Sequence, residues 1–235
     1  MIVTIPESWE DITVAQYTEL SSVGIDYNTI KSLVLALTDE RMAIIGLASI
    51  DVDEFDKIIK VLSIILDIAE DELLQVDQAD LLTILKSLQG LTELPYIASG
   101  YDFKTITVGR WINIEEAIKG DASNNIGLLL HKLLDIDLND ILSAPITKYY
   151  NYVIDFGTFR KNTYTTYESM FIADEDDNTA DLTAEELKNI ERAKQWNWYG
   201  FLYSLAGGDF LKMHEVSDKN FIGALNYLSY KKQLR

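Results

Sequence analysis

Cysteine is absent from the 235 residues, which removes disulfides, thiol nucleophiles and thiolate-held zinc, and agrees with a reducing compartment. Histidine is almost as scarce: His131 sits in an apolar stretch and His214 beside Glu215. No HExxH spacing links them, and nothing in sequence pairs either with a nucleophile. Three prolines and twelve glycines leave little room for long loops. A phosphate-binding loop is missing too, since Gly207-Gly208-Asp209 lacks a following Gly-Lys-Ser/Thr and closes a helical pattern instead of opening one. The longest apolar runs, Ile58–Leu66 and Ile126–Leu134, are interrupted by Lys60, Ser63 or His131. They fall well short of the roughly 20 residues that span a bilayer. The opening Met1-Ile-Val-Thr-Ile-Pro-Glu7 has no basic stretch and no small-residue cleavage site, so no signal peptide and no membrane partner are expected.

Positive charge is also short: 20 basic against 38 acidic side chains give a net charge of −18. Such a surface repels phosphate backbones, which argues against sequence-specific nucleic-acid binding. It suits solubility, a basic partner, or a wall past which DNA slides without sticking. Carboxylate pairs abound at this acidity, so none singles out a general acid–base couple. The chain is therefore expected to be no enzyme and to need no cofactor.

What is present reads as helix. Hydrophobic residues make up 48% of the chain and mean hydropathy is +0.00, ordinary values for a globular protein. Thr13 and Gln16 have capping-box spacing, which starts a helix near Val14. Apolar residues at three- and four-residue spacing predict further helices at Tyr27–Leu37, Ile58–Leu66 and Ala79–Leu88, with weaker ones at Met42–Leu47 and Val52–Ile59. Asp67–Asp71 and Val76–Asp80 read as turns that cap the next helix. Pro95 and Gly100 mark a boundary, and Tyr101–Thr107 alternates enough for a strand or extended arm. Helical spacing then runs from Ile146 to Phe159. Thr183 and Glu186 form a second capping box for a helix toward Trp198, Trp196–Gly208 is helical up to a Gly-Gly stop, and Asp218 or Asn220 caps Phe221–Tyr230. The expected fold is mainly α, a set of short helices with at most a small β element, in three segments: 1–94, 95–172 and 173–235.

An internal duplication is also expected. Ile12-Thr-Val-Ala-Gln-Tyr-Thr-Glu-Leu20 and Ile106-Thr-Val-Gly-Arg-Trp-Ile-Asn-Ile114 share one pattern at an offset of 94 residues. Each precedes an apolar helix, Ile30–Leu37 or Ile126–Leu134, so Val3–Leu37 and Phe103–Leu134 should superpose. Tyrosine and tryptophan, enriched at interfaces, mark candidate protein contacts in two regions: Tyr149, Tyr150, Tyr152 and Tyr167, then Trp196, Trp198, Tyr199 and Tyr203. One weak metal candidate exists. Asp174, Asp176, Asn178 and Glu185 fall at positions 1, 3, 5 and 12 of a calcium loop. Thr179 stands where such a loop needs glycine and Asp181 is polar where it needs an apolar residue, so a plain acidic loop is the expectation.

Ile5-Pro-Glu-Ser-Trp-Glu-Asp-Ile-Thr-Val-Ala-Gln-Tyr-Thr-Glu-Leu20 resembles the start of tailed-bacteriophage tail assembly chaperones. Thr105–Ile114 with Asn125–His131, and Trp198–Lys212 with Leu225–Lys231, are similar to segments of virion assembly proteins from phages of Bacteroidetes hosts. This resemblance implies a non-enzymatic structural protein made in the host cytoplasm and carried in the virion. A multi-copy ring or adaptor at the portal–tail connection, a transient chaperone of a tape-measure protein, and packaged cargo are the three forms it allows. The implied partners are other phage structural proteins and further copies of itself. It implies no site residues.

Overall fold

The computed structural model describes residues 5–38, 52–118, 125–171 and 197–234. Among these the chain is helical, and its only β pairing is two isolated bridges. Helices α1 (Val14–Ser22), α2 (Tyr27–Thr38), α3 (Val52–Leu66), α4 (Glu70–Leu73) and α5 (Gln78–Ser87) lead to α6 (Val108–Ala117). There follow α7 (Ile126–Leu134), α8 (Leu138–Leu142), α9 (Tyr150–Thr166), α10 (Glu168–Phe171), α11 (Asn197–Leu205), α12 (Met213–Ser217) and α13 (Phe221–Gln233). The Met42–Leu47 helix, the Thr183–Glu186 capping box and the Asp174–Asp181 acidic loop lie outside the described residues.

Local chemistry fixes the helix starts. Thr13 accepts from the Gln16 N–H while Gln16 reaches back to the Thr13 N–H, closing the expected capping box. Asp26 and Asp77 cap α2 and α5 through their carboxylates, and Asn220, of the two residues proposed, caps α13. The helix expected from Ile146 begins at Tyr150, because Pro145 enters a 3-10 turn at Ile146–Lys148 first. Tyr101–Thr107 is no strand: Phe103–Thr105 forms a 3-10 turn capped by Asp102, and the stretch carries a single β bridge, at Thr107.

Two compact units emerge, residues 1–99 with 117–153 and residues 100–116 with 154–235. They interleave along the chain instead of following the contiguous segments 1–94, 95–172 and 173–235. Each unit is closed by a pairing between distant segments, and that pairing sets the division. In the first unit Thr13 bridges Pro145 antiparallel, the Val14 N–H donating to Ala144 O (2.9 Å) and the Ile146 N–H to Ile12 O (2.8 Å). In the second Thr107 bridges Asn220, the Val108 N–H donating to Lys219 O (2.8 Å) and the Phe221 N–H to Ile106 O (2.9 Å).

The match extends on both sides of these bridges. A three-residue 3-10 turn opening on a buried aromatic, Trp9 or Phe103, precedes each threonine. The following helix buries Val14, Tyr17 and Leu20 in one unit, and Val108, Trp111 and Ile114 in the other. Each partner segment follows a five-residue helix, α8 or α12, by the same spacing. The two stretches thus share the 3-10 turn, the bridge and the helix that follows it. The second half of the expected duplication is corrected: Ile126–Leu134 is no counterpart of Ile30–Leu37, because α7 packs on α1 inside the first unit.

The first core gathers Trp9, Ile12, Leu20, Ile30, Leu62, Leu85, Leu91, Leu130 and Ile146. The Trp9 indole donates to Leu91 O (2.9 Å) and the Tyr27 hydroxyl to Thr92 O (2.9 Å), tying the turn before α1 and the start of α2 to the 3-10 turn Leu88–Thr92. Gly90 permits this approach, since a Cβ there would stand 1.6 Å from Glu7 O. The second core centres on Trp111, stacked on Phe221 at 4.2 Å between centroids and ringed by Phe156, Phe159 and Tyr164.

Candidate functional site

The second unit holds a polar group inside its core that sequence reading missed. Glu115, four residues after Trp111 on α6, is 6% exposed. Arg160 on α9 grips it with both arms, Nε to Oε1 at 2.7 Å and Nη2 to Oε2 at 2.9 Å. The Arg160 guanidinium lies over the Tyr164 ring at 4.8 Å. Burial first, and the Glu115 carboxylate second, push the Tyr164 hydroxyl up to about 12. Donating to the Glu115 carboxylate likewise raises Arg160 above its ordinary value, so the guanidinium stays charged. The Trp111 indole N–H, one turn earlier on α6, is buried and finds no hydrogen-bond partner among the described residues. A bidentate ion pair joins two segments distant in sequence and fastens α6 to α9. The signal in the sequence was a charged residue continuing the apolar stripe Val108, Trp111, Ile114. Its partner was illegible, because periodicity does not say which helix packs opposite.

The tyrosines expected at an interface divide. Tyr149 is 3% exposed and belongs to the first core. Tyr150 and Tyr152 are half-buried against that core, and Tyr150 packs edge-on to Tyr17 at 6.0 Å. Burial, with Tyr150 close by, raises the Tyr17 hydroxyl above the usual phenol range. In the second unit the half-buried Tyr167 donates to Asn226 Oδ1 (2.7 Å). Trp198 is half-buried against Phe201, whereas Tyr199 and Tyr203 are exposed by 44% and 45%. Trp196 and the calcium candidates Asp174, Asp176, Asn178 and Glu185 lie outside the described residues.

Further exposed apolar side chains in the second unit were missed by sequence reading. Tyr227 and Tyr230 project from α13, and Phe210 and Leu211 from the connection between α11 and α12, at 63% and 83% exposure. This connection is a built turn. The Gly208 N–H donates to Tyr203 O (2.9 Å) and the Gly207 N–H to Ser204 O (3.2 Å), a double cap with both glycines at positive φ. Asp209 then accepts from the Leu211 N–H and pairs with Lys212. The corresponding connection in the first unit is only Asp135–Asp137, whose Ile136 packs against its core. The tip is thus an addition peculiar to the second copy of the motif.

Among the described residues no helix is long and apolar enough to cross a membrane. No family model, curated protein or solved structure matches the chain.

Proposed function

We propose that the chain is a non-enzymatic protein–protein assembly component of a tailed bacteriophage, present in several copies at the portal–tail connection. The observation that carries the protein-contact reading is the surface of the second unit. Tyr199, Tyr203, Phe210, Leu211, Tyr227 and Tyr230 stay exposed there in a chain that carries −18. Tyrosine and phenylalanine supply large contact area at low entropic cost, and interfaces are enriched in them. The phage assignment rests on the resemblance of the chain's two ends to virion assembly proteins. A wall of net negative charge suits a passage that DNA crosses without adhering.

Mass spectrometry of purified particles tests this. A fixed copy number that persists after genome ejection supports the connector. Absence from particles, with capture on a tape-measure protein from infected cells, replaces it with a transient chaperone. Variable amounts lost on ejection mean cargo.

A further inference from the structure

Each unit is closed by the same backbone device. Thr13 and Thr107 face their bridge partners, Pro145 and Asn220, through two N–H···O bonds of 2.8 and 2.9 Å. A 3-10 turn precedes each threonine and a five-residue helix precedes each partner. Bonds of one pattern carry no information about which partner belongs to which threonine, so side chains supply it.

Chain connectivity pulls the other way. Thr107 stands about 40 residues from Pro145 and about 110 from Asn220. Closing the shorter loop is favoured about fivefold by chain entropy, and the Pro145 segment is synthesised first. The wrong partner of Thr107 is the nearer one, yet the bridge forms with Asn220.

The two closing segments differ in the residue just past the bridge. Ile146 and Phe221 are both buried, at 0% and 1% exposure. Phe221 stacks on Trp111, four residues after Thr107, at 4.2 Å between centroids and 15° between planes. Phe156, Phe159 and Tyr164 meet the same indole only tilted or edge-on. In the first unit Tyr17 holds the place of Trp111 and meets Trp9 and Tyr150 edge-on. A good aromatic pair is worth up to about tenfold beyond its buried area. An isoleucine in the place of Phe221 would leave the indole face incompletely covered, which adds a cavity cost.

We infer that the Trp111–Phe221 stack selects which closing segment pairs with Thr107, overriding the nearer Pro145 segment. Phe221 is the selecting residue. This inference stands apart from the assembly reading.

The cysteine-free sequence allows a direct competition. Thr107→Cys, Pro145→Cys and Asn220→Cys are combined in the full chain, so one thiol chooses between two. Bridged residues of this kind have Cα atoms about 4.5 Å apart, within disulfide reach. The chain is refolded from urea in glutathione buffer, and the 107–220 and 107–145 disulfides are counted by peptide mass spectrometry. With Phe221 present, 107–220 should exceed 107–145 at least about tenfold. Phe221→Leu should lower that ratio about tenfold, and Phe221→Tyr, which keeps a ring, should preserve it. Phe156→Leu thins the packing on Trp111 from α9, so it should lower the urea midpoint and leave the ratio within about twofold. Circular dichroism of the reduced chain checks that the triple variant folds. If it does not, the two-cysteine variants 107 with 220 and 107 with 145 are refolded separately and compared. An unchanged ratio in Phe221→Leu overturns the inference, as does an equal shift in Phe156→Leu. Dominant 107–145 crosslinks with Phe221 intact overturn it too.

Discussion

The Glu115–Arg160 pair offers the sharpest energetic test, because its two members differ in access to water. The Glu115 side chain is 7% exposed and that of Arg160 39%. Arg160→Met strands a carboxylate that loses two donors inside the core. Removing one partner of a buried pair costs ~3–5 kcal/mol, and water reaching the vacated side of Arg160 reduces this to about 2–3 kcal/mol. Glu115→Leu instead strands a guanidinium that already reaches solvent, at a cost of about 1 kcal/mol. The double variant replaces the pair with apolar side chains and should recover most of the loss, leaving a coupling of about 2 kcal/mol. Urea denaturation followed by tryptophan fluorescence and circular dichroism reads the cycle. The Arg160→Met midpoint should fall by about 1 M for an ordinary urea dependence, and Glu115→Leu should fall clearly less. Equal losses for the two single variants would refute the argument from burial. Strictly additive losses would refute the pairing itself.

Other perturbations probe separate parts of the structure. Gly90→Ala should be strongly destabilising, by about 3 kcal/mol or more, since its Cβ would overlap Glu7 O; a thermal melt within a degree or two of wild type contradicts the close approach. Trp9→Phe should cost about 1 kcal/mol more than Trp111→Phe, because only the Trp9 indole has an acceptor, Leu91 O; equal losses in urea would deny the distinction. The raised Tyr164 hydroxyl keeps its proton in the folded state, so its contribution to stability is full below the phenol's ordinary value of 10.0. That contribution disappears as pH climbs through about 12. Tyr164→Phe should accordingly flatten the alkaline decline of stability over that window, and an unaltered profile would show that Tyr164 ionises freely. Asp26→Ala should cost about 1 kcal/mol through loss of the α2 cap, with Asp26→Asn close to wild type in the same melt.

Local signals carried the helices. The capping box at Thr13 and Gln16, the cap at Asp77 and the double-glycine stop after α11 all act within a few residues, so a reader of sequence sees both partners. The repeated Ile-Thr-Val pattern was legible for the same reason. Its meaning was not. Each threonine sits where a helix begins, and the segment that pairs with it lies over a hundred residues away, at Pro145 or Asn220. No periodicity announces a single bridge, and for that reason Tyr101–Thr107 reads as a strand or extended arm and α7 as part of a second copy. The surface behaved alike. Tyrosine content pointed to contacts, yet Tyr149 turned inward to the core while Phe210 and Leu211 turned out.

Composition and spacing alone determined a mainly helical, cysteine-free, strongly acidic chain with a duplicated motif, because propensity, capping and charge depend on near neighbours or on sums. Tertiary structure alone decided the interleaving of the two units, the burial of Glu115 against Arg160, and the capped tip that presents Phe210 and Leu211. Those depend on which distant segments meet, and pairing at long range is chosen by the packing of whole faces, which one helix's sequence does not contain.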